Sequence, residues 1–268
     1  TLESGFALQA TNCVIDKFGR LGARKGWQFL DEVADADLQG MHRFVDIDAT
    51  EYFGAWSTDT FYLYSAGTLT PVTYSGSQTL TDGNWQAVTL NDAAYLFQKN
   101  YEPLYFDTVT GTILDISASP SASGTPIEGN CALSAYGRVW TADTATNVTT
   151  IYWTDLLDPT RWNSGTAGSL DLSSILVNGN DEIIALGAHN GFLIVFCKNN
   201  IIIFGDSDTA QTYLDPTTLQ LVEVINGVGC IARDSVQNTG TDILFLSDSG
   251  LMSLGRVIQE KSTPMRDL

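Results

Sequence analysis

The stretch Phe192-Leu-Ile-Val-Phe196, Lys198-Asn-Asn200, Ile201-Ile-Ile-Phe204 decides the fold of this chain. Two apolar runs rich in β-branched residues flank a short polar segment, and asparagine accepts the positive φ angle of a tight β turn. The stretch therefore predicts a β-hairpin. Because neither run alternates apolar with polar residues, we expect both faces of the hairpin to be buried.

The same hairpin pattern occurs at four other places along the chain. They are Phe61–Tyr64 with Leu69–Tyr74, Tyr95–Phe97 with Leu104–Phe106, Arg138–Trp140 with Ile151–Trp153, and Ile243–Leu246 with Leu251–Leu254. The five hairpins begin near residues 61, 95, 138, 192 and 243, and their mean step of about 45 residues is the length of one four-stranded propeller blade. The sequence predicts an all-β chain folded as a β-propeller of about five to six blades.

The competing fold is a pair of β-sandwich domains, which would need a linker near the middle of the chain. Ser117–Pro126 is Ser/Pro-rich enough to be that linker, but a long loop between two blades explains it equally well. For the propeller, we expect residues 1–30 to form an N-terminal arm and residues 31–268 to form the propeller. Because Thr1 is not an initiator methionine, we expect native residues before it. We also expect the propeller to be truncated relative to the native protein.

The charge balance limits the classes of partner. Thirteen Lys and Arg oppose 31 Asp and Glu, for a formal charge of −18. A field of that sign repels phosphate, so the sequence argues against a protein that grips nucleic acid or an anionic membrane by its charge. The exception is a basic cluster in the arm, formed by Lys17, Arg20, Arg24 and Lys25. It is either a solvated loop or a docking site for an acidic partner.

Metal, cofactor and disulfide signals are weak. The four cysteines are far apart and form no C-x-x-C, so we expect buried free thiols in a reducing compartment. His42 and His189 are too few for a three-histidine zinc site, and we expect both to be structural. No apolar stretch approaches the roughly 18 residues of a membrane helix. We predict no metal, no cofactor and no membrane segment.

Two stretches imitate ligand-binding motifs. Asp35-Ala-Asp37-Leu-Gln-Gly40 with Asp46 superficially matches a calcium loop, but Arg43 occupies the position of an oxygen ligand. Gly227-Val-Gly229-Cys-Ile-Ala232 follows an apolar strand, as a dinucleotide fingerprint does, but a polar stretch follows it where the fingerprint needs a helix. We expect an acidic loop at the first and a glycine-kinked strand at the second.

Carboxylates are abundant, and they include Asp31-Glu32, Asp181-Glu182, Asp206 and Asp208. Their number alone therefore does not exclude a propeller glycosidase. Retaining glycosidases need two carboxyls about 5 Å apart, which a sequence cannot display. Ser247-Asp-Ser-Gly250 comes close to a sialidase Asp box but has Asp and Ser in the wrong order. We assign no catalytic residue and predict that the chain is not an enzyme.

Two segments carry a family resemblance. Asn12–Trp27 resembles the N-terminal stretch of tail nozzle proteins of short-tailed phages, also called tail tubular protein B or packaged-DNA stabilisation proteins. Trp153–Asn163, followed by Gly187–Phe204 and Gly227–Ala232, is similar to the propeller part of that family.

The resemblance implies a virion protein that assembles in the host cytoplasm as a ring, usually hexameric, below the portal and adaptor. Such a ring retains packaged double-stranded DNA, passes it during ejection without binding it specifically, and contacts the adaptor and tail fibres. The basic residues Lys17, Arg20, Arg24 and Lys25 would then dock on the adaptor or on a neighbouring subunit. The alternatives are a propeller glycoside hydrolase or depolymerase, and a glycan-binding adhesin module.

Overall fold

The computed structural model of the 268-residue chain describes residues 13–15, 20–23, 31, 37–176, 179–207 and 214–262. The chain divides into two compact units, Thr1–Glu32 and Val33–Leu268. No helix among the described residues has the length and apolar character needed to span a membrane.

The first unit contains an antiparallel pair of strands, β1 (Cys13–Ile15) and β2 (Leu21–Ala23), here called the arm hairpin. Val14 lies opposite Gly22, whereas Leu21 lies opposite Ile15, so Val14 and Leu21 belong to opposite faces of the hairpin. Val14 is 49% exposed and Leu21 is 66% exposed. Each face of the arm hairpin therefore presents an apolar side chain to solvent.

The second unit contains five antiparallel sheets that follow one another along the chain, each forming one propeller blade. Blade 1 consists of β3 (Gly40–Val45), β4 (Glu51–Trp56), β5 (Phe61–Ser65) and β6 (Thr68–Val72). Blade 2 consists of β7 (Gln86–Leu90), β8 (Ala93–Phe97), β9 (Leu104–Asp107) and β10 (Thr112–Asp115). Blade 3 consists of β11 (Cys131–Ala135), β12 (Arg138–Ala142), β13 (Thr150–Trp153) and β14 (Gly168–Asp171).

Blade 4 consists of β15 (Ile183–His189), β16 (Phe192–Cys197), β17 (Asn200–Asp206) and β18 (Leu219–Asn226). Blade 5 has three strands among the described residues, β19 (Gln237–Asn238), β20 (Ile243–Ser247) and β21 (Gly250–Ser253). Within each blade the strands pair in chain order, and the first strands of consecutive blades contact one another. These first strands therefore line the propeller axis.

The predicted β-propeller is confirmed, with five blades, and the two-sandwich alternative is wrong. All five predicted hairpins are present as paired strands. Turn chemistry explains the tip of the β5–β6 hairpin, where Ala66 and Gly67 have φ angles of 53° and 93°, as a two-residue hairpin turn requires. The asparagines at the β16–β17 turn, in contrast, do not adopt the positive φ that we expected. The supposed linker Ser117–Pro126 lies in the connection from blade 2 to blade 3.

One hydrophobic cluster fills each junction between consecutive blades. Trp56 and Phe106 lie in the cluster between blades 1 and 2, Phe97 and Val139 between blades 2 and 3, Trp140 and Val195 between blades 3 and 4, and Phe196 and Phe245 between blades 4 and 5. All eight of these side chains are at most 5% exposed. Burial of both blade faces is why strands such as β16 and β17 are apolar throughout.

Blades 5 and 1 share no such cluster within the described part of the chain, and we call this side of the second unit the open seam. Blade 1 turns Met41, Val45 and Phe53 away from blade 2, and Met41 is 64% exposed. Blade 5 turns Leu246 and Leu251 away from blade 4, and Leu251 is 72% exposed. The blade 5 wall of the open seam is therefore apolar, and the blade 1 wall combines apolar side chains with the exposed Arg43–Glu51 ion pair, which lies on the same face as Met41 and Val45.

The predicted strand Leu251–Leu254 is one residue too long, because Leu254 begins helix α1 (Leu254–Ser262). The Ser253 hydroxyl accepts a hydrogen bond from the backbone N–H of Arg256, as an N-cap does. Arg256 also pairs with Glu260 one turn later, at 2.7 Å. These local contacts favour a helix over continuation of the strand.

Candidate functional site

Arg233 lies where the connection from blade 4 to blade 5 reaches the propeller axis. It follows Gly227–Ala232 and begins a short 3₁₀ turn, Arg233–Ser235. Its guanidinium donates to the carbonyl oxygens of Asn84 at 3.1 Å and Asn130 at 2.8 Å, and to the Asn84 side-chain oxygen at 2.8 Å. Because Asn84 precedes blade 2 and Asn130 precedes blade 3, one side chain ties three blades together.

A buried ion pair extends this contact outward. The Asn130 amide donates to Asp143 at 2.9 Å, and Lys99 of blade 2 lies 2.6 Å from the other carboxylate oxygen of Asp143. Asp143 is 1% exposed, so its charge is compensated by Lys99 and by hydrogen bonds and not by water. The Arg233, Asn130, Asp143 and Lys99 side chains thus form a continuous polar network between blades, which we call the axial network.

A cavity of about 380 Å³ opens beside Arg233. Its walls come from blades 1, 2 and 5 and include Gln39, His42, Trp56, Asn84, Trp85, Gln86, Arg233, Asp234 and Gln237. Asp234 is the only carboxylate among these lining residues, and its Oδ1 lies 2.9 Å from Nε of Arg233, in an ion pair. The cavity therefore offers mainly neutral amide and indole groups, without the pair of carboxyls that glycoside hydrolysis uses.

His42 lies on this cavity wall and is a structural residue here. Its Nε2 is 2.7 Å from the Thr89 hydroxyl, which links blade 1 to blade 2. Burial lowers the pKa of the His42 imidazole below its ordinary value, because a charged ring would lose solvation. His189, the last residue of β15, lies in blade 4, so the two histidines come from different blades.

Two of the predicted carboxylate candidates, Asp181 and Asp206, accept hydrogen bonds from neighbouring segments of the chain. Asp181 is 6% exposed and accepts hydrogen bonds from the Asn199 backbone and from the Asn199 and Asn200 amides. Asp206 accepts from the backbone N–H of Asp215 at 3.0 Å. Through these hydrogen bonds Asp181 stabilises the β16–β17 turn. Glu32 and Asp208 lie outside the described residues.

Neither imitated motif has the geometry of a ligand site. Gly40–Val45 form strand β3, which is incompatible with a continuous calcium loop from Asp35 to Asp46, and Asp35 lies outside the described residues. The described residues contain no group of three or more His, Cys, Asp or Glu able to hold a metal. Gly227–Ala232 is a loop and not the expected kinked strand, and the 3₁₀ turn that follows is too short to form a dinucleotide-binding helix.

The four cysteines are free thiols; Cys131, Cys197 and Cys230 are buried, as predicted, whereas Cys13 is only partly buried. Burial raises the pKa of the Cys131 thiol to about 12 and also raises that of Cys197 above its ordinary value. A thiol held neutral in this way is a poor nucleophile and a poor metal ligand. Cys131 and Cys197 are therefore apolar packing residues, and the fully buried Cys230 thiol donates to the Ala232 carbonyl oxygen.

The predicted docking cluster is described in part. Arg20 lies directly before β2 and is exposed, next to the exposed Leu21. Lys17, Arg24 and Lys25 lie outside the described residues. The cluster's role stays a prediction.

The charges divide sharply between the two units. The first contains four of the thirteen cations and four of the 31 acids, so the whole formal charge of −18 belongs to the second. Five of the second unit's nine cations are already paired with its own acids: Arg43 with Glu51, Lys99 with Asp143, Arg161 with Asp158, Arg233 with Asp234, and Arg256 with Glu260. The propeller surface is therefore strongly acidic.

No protein-family model matches this chain, and no curated protein matches it. Among solved structures, the chain is similar to BBS1N in complex with ARL6DN. For the lead-soaked crystal the TM-score is 0.49 at 12% identity, over 92% of this chain and 67% of that chain. For the mercury-soaked crystal the TM-score is 0.47 at 12% identity, over 92% and 66%.

A further similarity is to the extracellular domain of the one-component system BT4673 from B. thetaiotaomicron. Its TM-score is 0.42 at 13% identity, over 75% of this chain and 25% of that chain. The strand order described above, and not these similarities, establishes the propeller.

Proposed function

We propose that this chain is the propeller-bearing part of a tail nozzle subunit of a short-tailed phage, a non-enzymatic virion protein that assembles as a six-fold ring below the portal and adaptor. The resemblance of Asn12–Trp27 and Trp153–Asn163 to that family motivates the proposal. In this role the protein retains packaged DNA and passes it during ejection.

The acidic propeller is the observation that carries the proposal. Duplex DNA meets like charge from surface acids within a Debye length of about 8 Å at physiological salt. Because five of the nine propeller cations are already held by neighbouring acids, few remain to bind phosphates. Such a wall lets DNA slide and does not hold it by counterion release.

The resembling segment Trp153–Asn163 contributes a rigid, exposed apolar tip. Leu156 and Leu157 are 42% and 56% exposed, and Leu157 has a φ of 57°, an unusual backbone conformation for leucine. The Asp155 carboxylate accepts from the Leu156 N–H at 2.9 Å and from the Thr166 N–H at 2.9 Å, which holds the tip in place. An apolar tip that is exposed and held in a strained conformation suits contact with another protein.

Particle images of the purified protein, alone and with its adaptor, test the proposal. We expect hollow rings with six-fold symmetry. A monomer that releases sugar from host polysaccharide, or one that binds glycan without cleaving it, would contradict the proposal and favour the hydrolase or adhesin. In a reconstituted tail, replacing acids that the images place on the lumen with Lys should slow DNA ejection, and matched replacements on the outer surface should leave it unchanged.

A further inference from the structure

We propose that the open seam of one subunit receives the arm hairpin of a second copy of this chain. This contact rests on the ring assembly proposed above, in which it would join one subunit to the next. A contact between two different surfaces, hairpin and seam, is heterologous and therefore closes into a ring when the rotation between subunits permits.

Both walls of the open seam expose apolar side chains that an occupant could cover. Its blade 1 wall exposes Met41 and Val45, and its blade 5 wall exposes Leu251. The other four junctions between blades each bury an apolar cluster, so the fold itself shows what fits between two blades, namely a β-sheet that is apolar on both sides. Large exposed apolar surfaces of this kind mark interaction sites.

The arm hairpin has the required two-sided character. Val14 on one face and Leu21 on the other are 49% and 66% exposed. An isolated two-stranded hairpin is marginally stable in water, and packing against another sheet would stabilise it. Insertion into the seam would bury both side chains at once.

Charge favours the same pairing. The arm hairpin carries Arg20 beside Leu21, and in the sequence Lys17, Arg24 and Lys25 lie within two residues of its two strands. The seam belongs to the unit that carries the entire charge of −18, with exposed Asp48 beside the blade 1 wall and exposed Asp248 beside the blade 5 wall. A basic hairpin entering an acidic propeller is attracted at long range, which raises the rate of association.

Cross-linking of mixed subunits tests the contact. In a Cys13→Ser background, whose three remaining cysteines are buried, an isotope-labelled Leu21→Cys chain is mixed with an unlabelled Leu251→Cys chain, oxidised mildly and analysed by mass spectrometry. We expect disulfides between residue 21 of one copy and residue 251 of another, at least tenfold above a control that carries Val109→Cys instead. Val109 is 91% exposed but lies in the β9–β10 turn, away from the seam.

A chain that carries both Leu21→Cys and Leu251→Cys is oxidised in parallel. Three results would overturn the contact: no cross-link between chains, a yield equal to the Val109→Cys control, or a 21–251 disulfide that forms only within the doubly substituted chain. The last would show that each chain fills its own seam. Particle images of the same samples separate this contact from the proposed function. Six-fold rings without the cross-link would overturn the contact alone, and cross-linked chains without rings would contradict the nozzle alone.

Discussion

Arg233 contacts parts of the chain that are distant in sequence. Its partners Asn84 and Asn130 lie 149 and 103 residues before it. The guanidinium has five donors in a fixed planar arrangement, so it can satisfy several carbonyl oxygens at once. A lysine at the same place would keep the charge but lose this geometry.

We expect Arg233→Lys to lower the free energy of unfolding by about 1–2 kcal/mol, because Arg233 is buried and its charged hydrogen bonds to the carbonyl oxygens of Asn84 and Asn130 would be lost. Chemical denaturation measures the change. The matched control is Arg43→Lys, since the side chains of the Arg43–Glu51 pair are more than 60% exposed and solvent screens the pair, so this substitution should leave the free energy of unfolding nearly unchanged. Equal losses in the two variants would show that the axial network does not stabilise the propeller.

Asp115 holds the connection between blades 1 and 2 to strand β10. Burial would raise the pKa of its carboxyl, but hydrogen bonds from Gln78, Ser77 and Tyr74 outweigh burial and hold the pKa below its ordinary value. The Tyr74 hydroxyl donates at 2.5 Å and the Ser77 N–H at 2.6 Å. The stabilisation is therefore fully present above the ordinary pKa of about 4 and is lost as pH falls through the lowered value.

We expect Asp115→Asn to lower the unfolding free energy at pH 7 by about 1–3 kcal/mol, since the amide cannot accept from all of these donors. The difference from the unsubstituted protein should shrink below about pH 4, where the native carboxylate becomes protonated. Urea denaturation across pH measures this, with Asp248→Asn on an exposed turn as control. A difference that stays constant down to pH 2 would argue against the carboxylate as the source.

Among the structural elements, the sequence predicted the hairpins but not the contacts between residues that are distant in the chain. Runs such as Phe192–Phe196 and Ile201–Phe204 are apolar, β-branched and separated by a turn signal, so local chemistry specifies both strands and turn. Blade count followed approximately from their spacing. Arg233, in contrast, lies in a polar stretch that predicts only a loop, because its partners are more than 100 residues away.

Helix α1 and the open seam were also absent from the sequence prediction. α1 contains Gly255 and is only nine residues long, which leaves too little periodicity to identify a helix. The seam depends on which blade faces are covered, a property of tertiary packing. Of the predicted docking residues, the structure describes Arg20 alone.

The Gly227–Ala232 connection provides a test at this scale. A Cβ atom on Gly229 would overlap the carbonyl oxygens of Cys197 and Lys198 at the β16–β17 turn. Because those atoms are backbone, we expect Gly229→Ala to lower the unfolding free energy by about 2 kcal/mol or more. Gly54→Ala is the control, since its nearest neighbour would be 3.7 Å away. A thermal melt in which both variants match the unsubstituted protein would contradict the close packing of this connection.

For the whole molecule, the open seam makes the blades unequal. Blades 2, 3 and 4 are covered on both faces by neighbouring blades, whereas blades 1 and 5 have one clustered junction each among the described residues. Regions with less buried apolar surface open at lower free energy. In the isolated subunit, blades 1 and 5 should therefore open locally at lower free energy than blades 2, 3 and 4.

Hydrogen exchange measured by mass spectrometry tests this inequality. We expect amides of β16 and β17 to exchange at least tenfold more slowly than those of β4, β5 and β20 in the isolated subunit. In the assembled ring, protection of blades 1 and 5 should rise if the seam is filled. Uniform protection across all five blades in the isolated subunit would contradict the prediction.

Each blade is also built from one uninterrupted stretch of chain, with every strand paired to its neighbour in sequence. During synthesis, blade 1 can thus fold before the segments of later blades have left the ribosome. Each new blade then packs against a neighbour that has already folded. Synthesis itself would then order the assembly of the core, junction by junction, from blade 1 to blade 5.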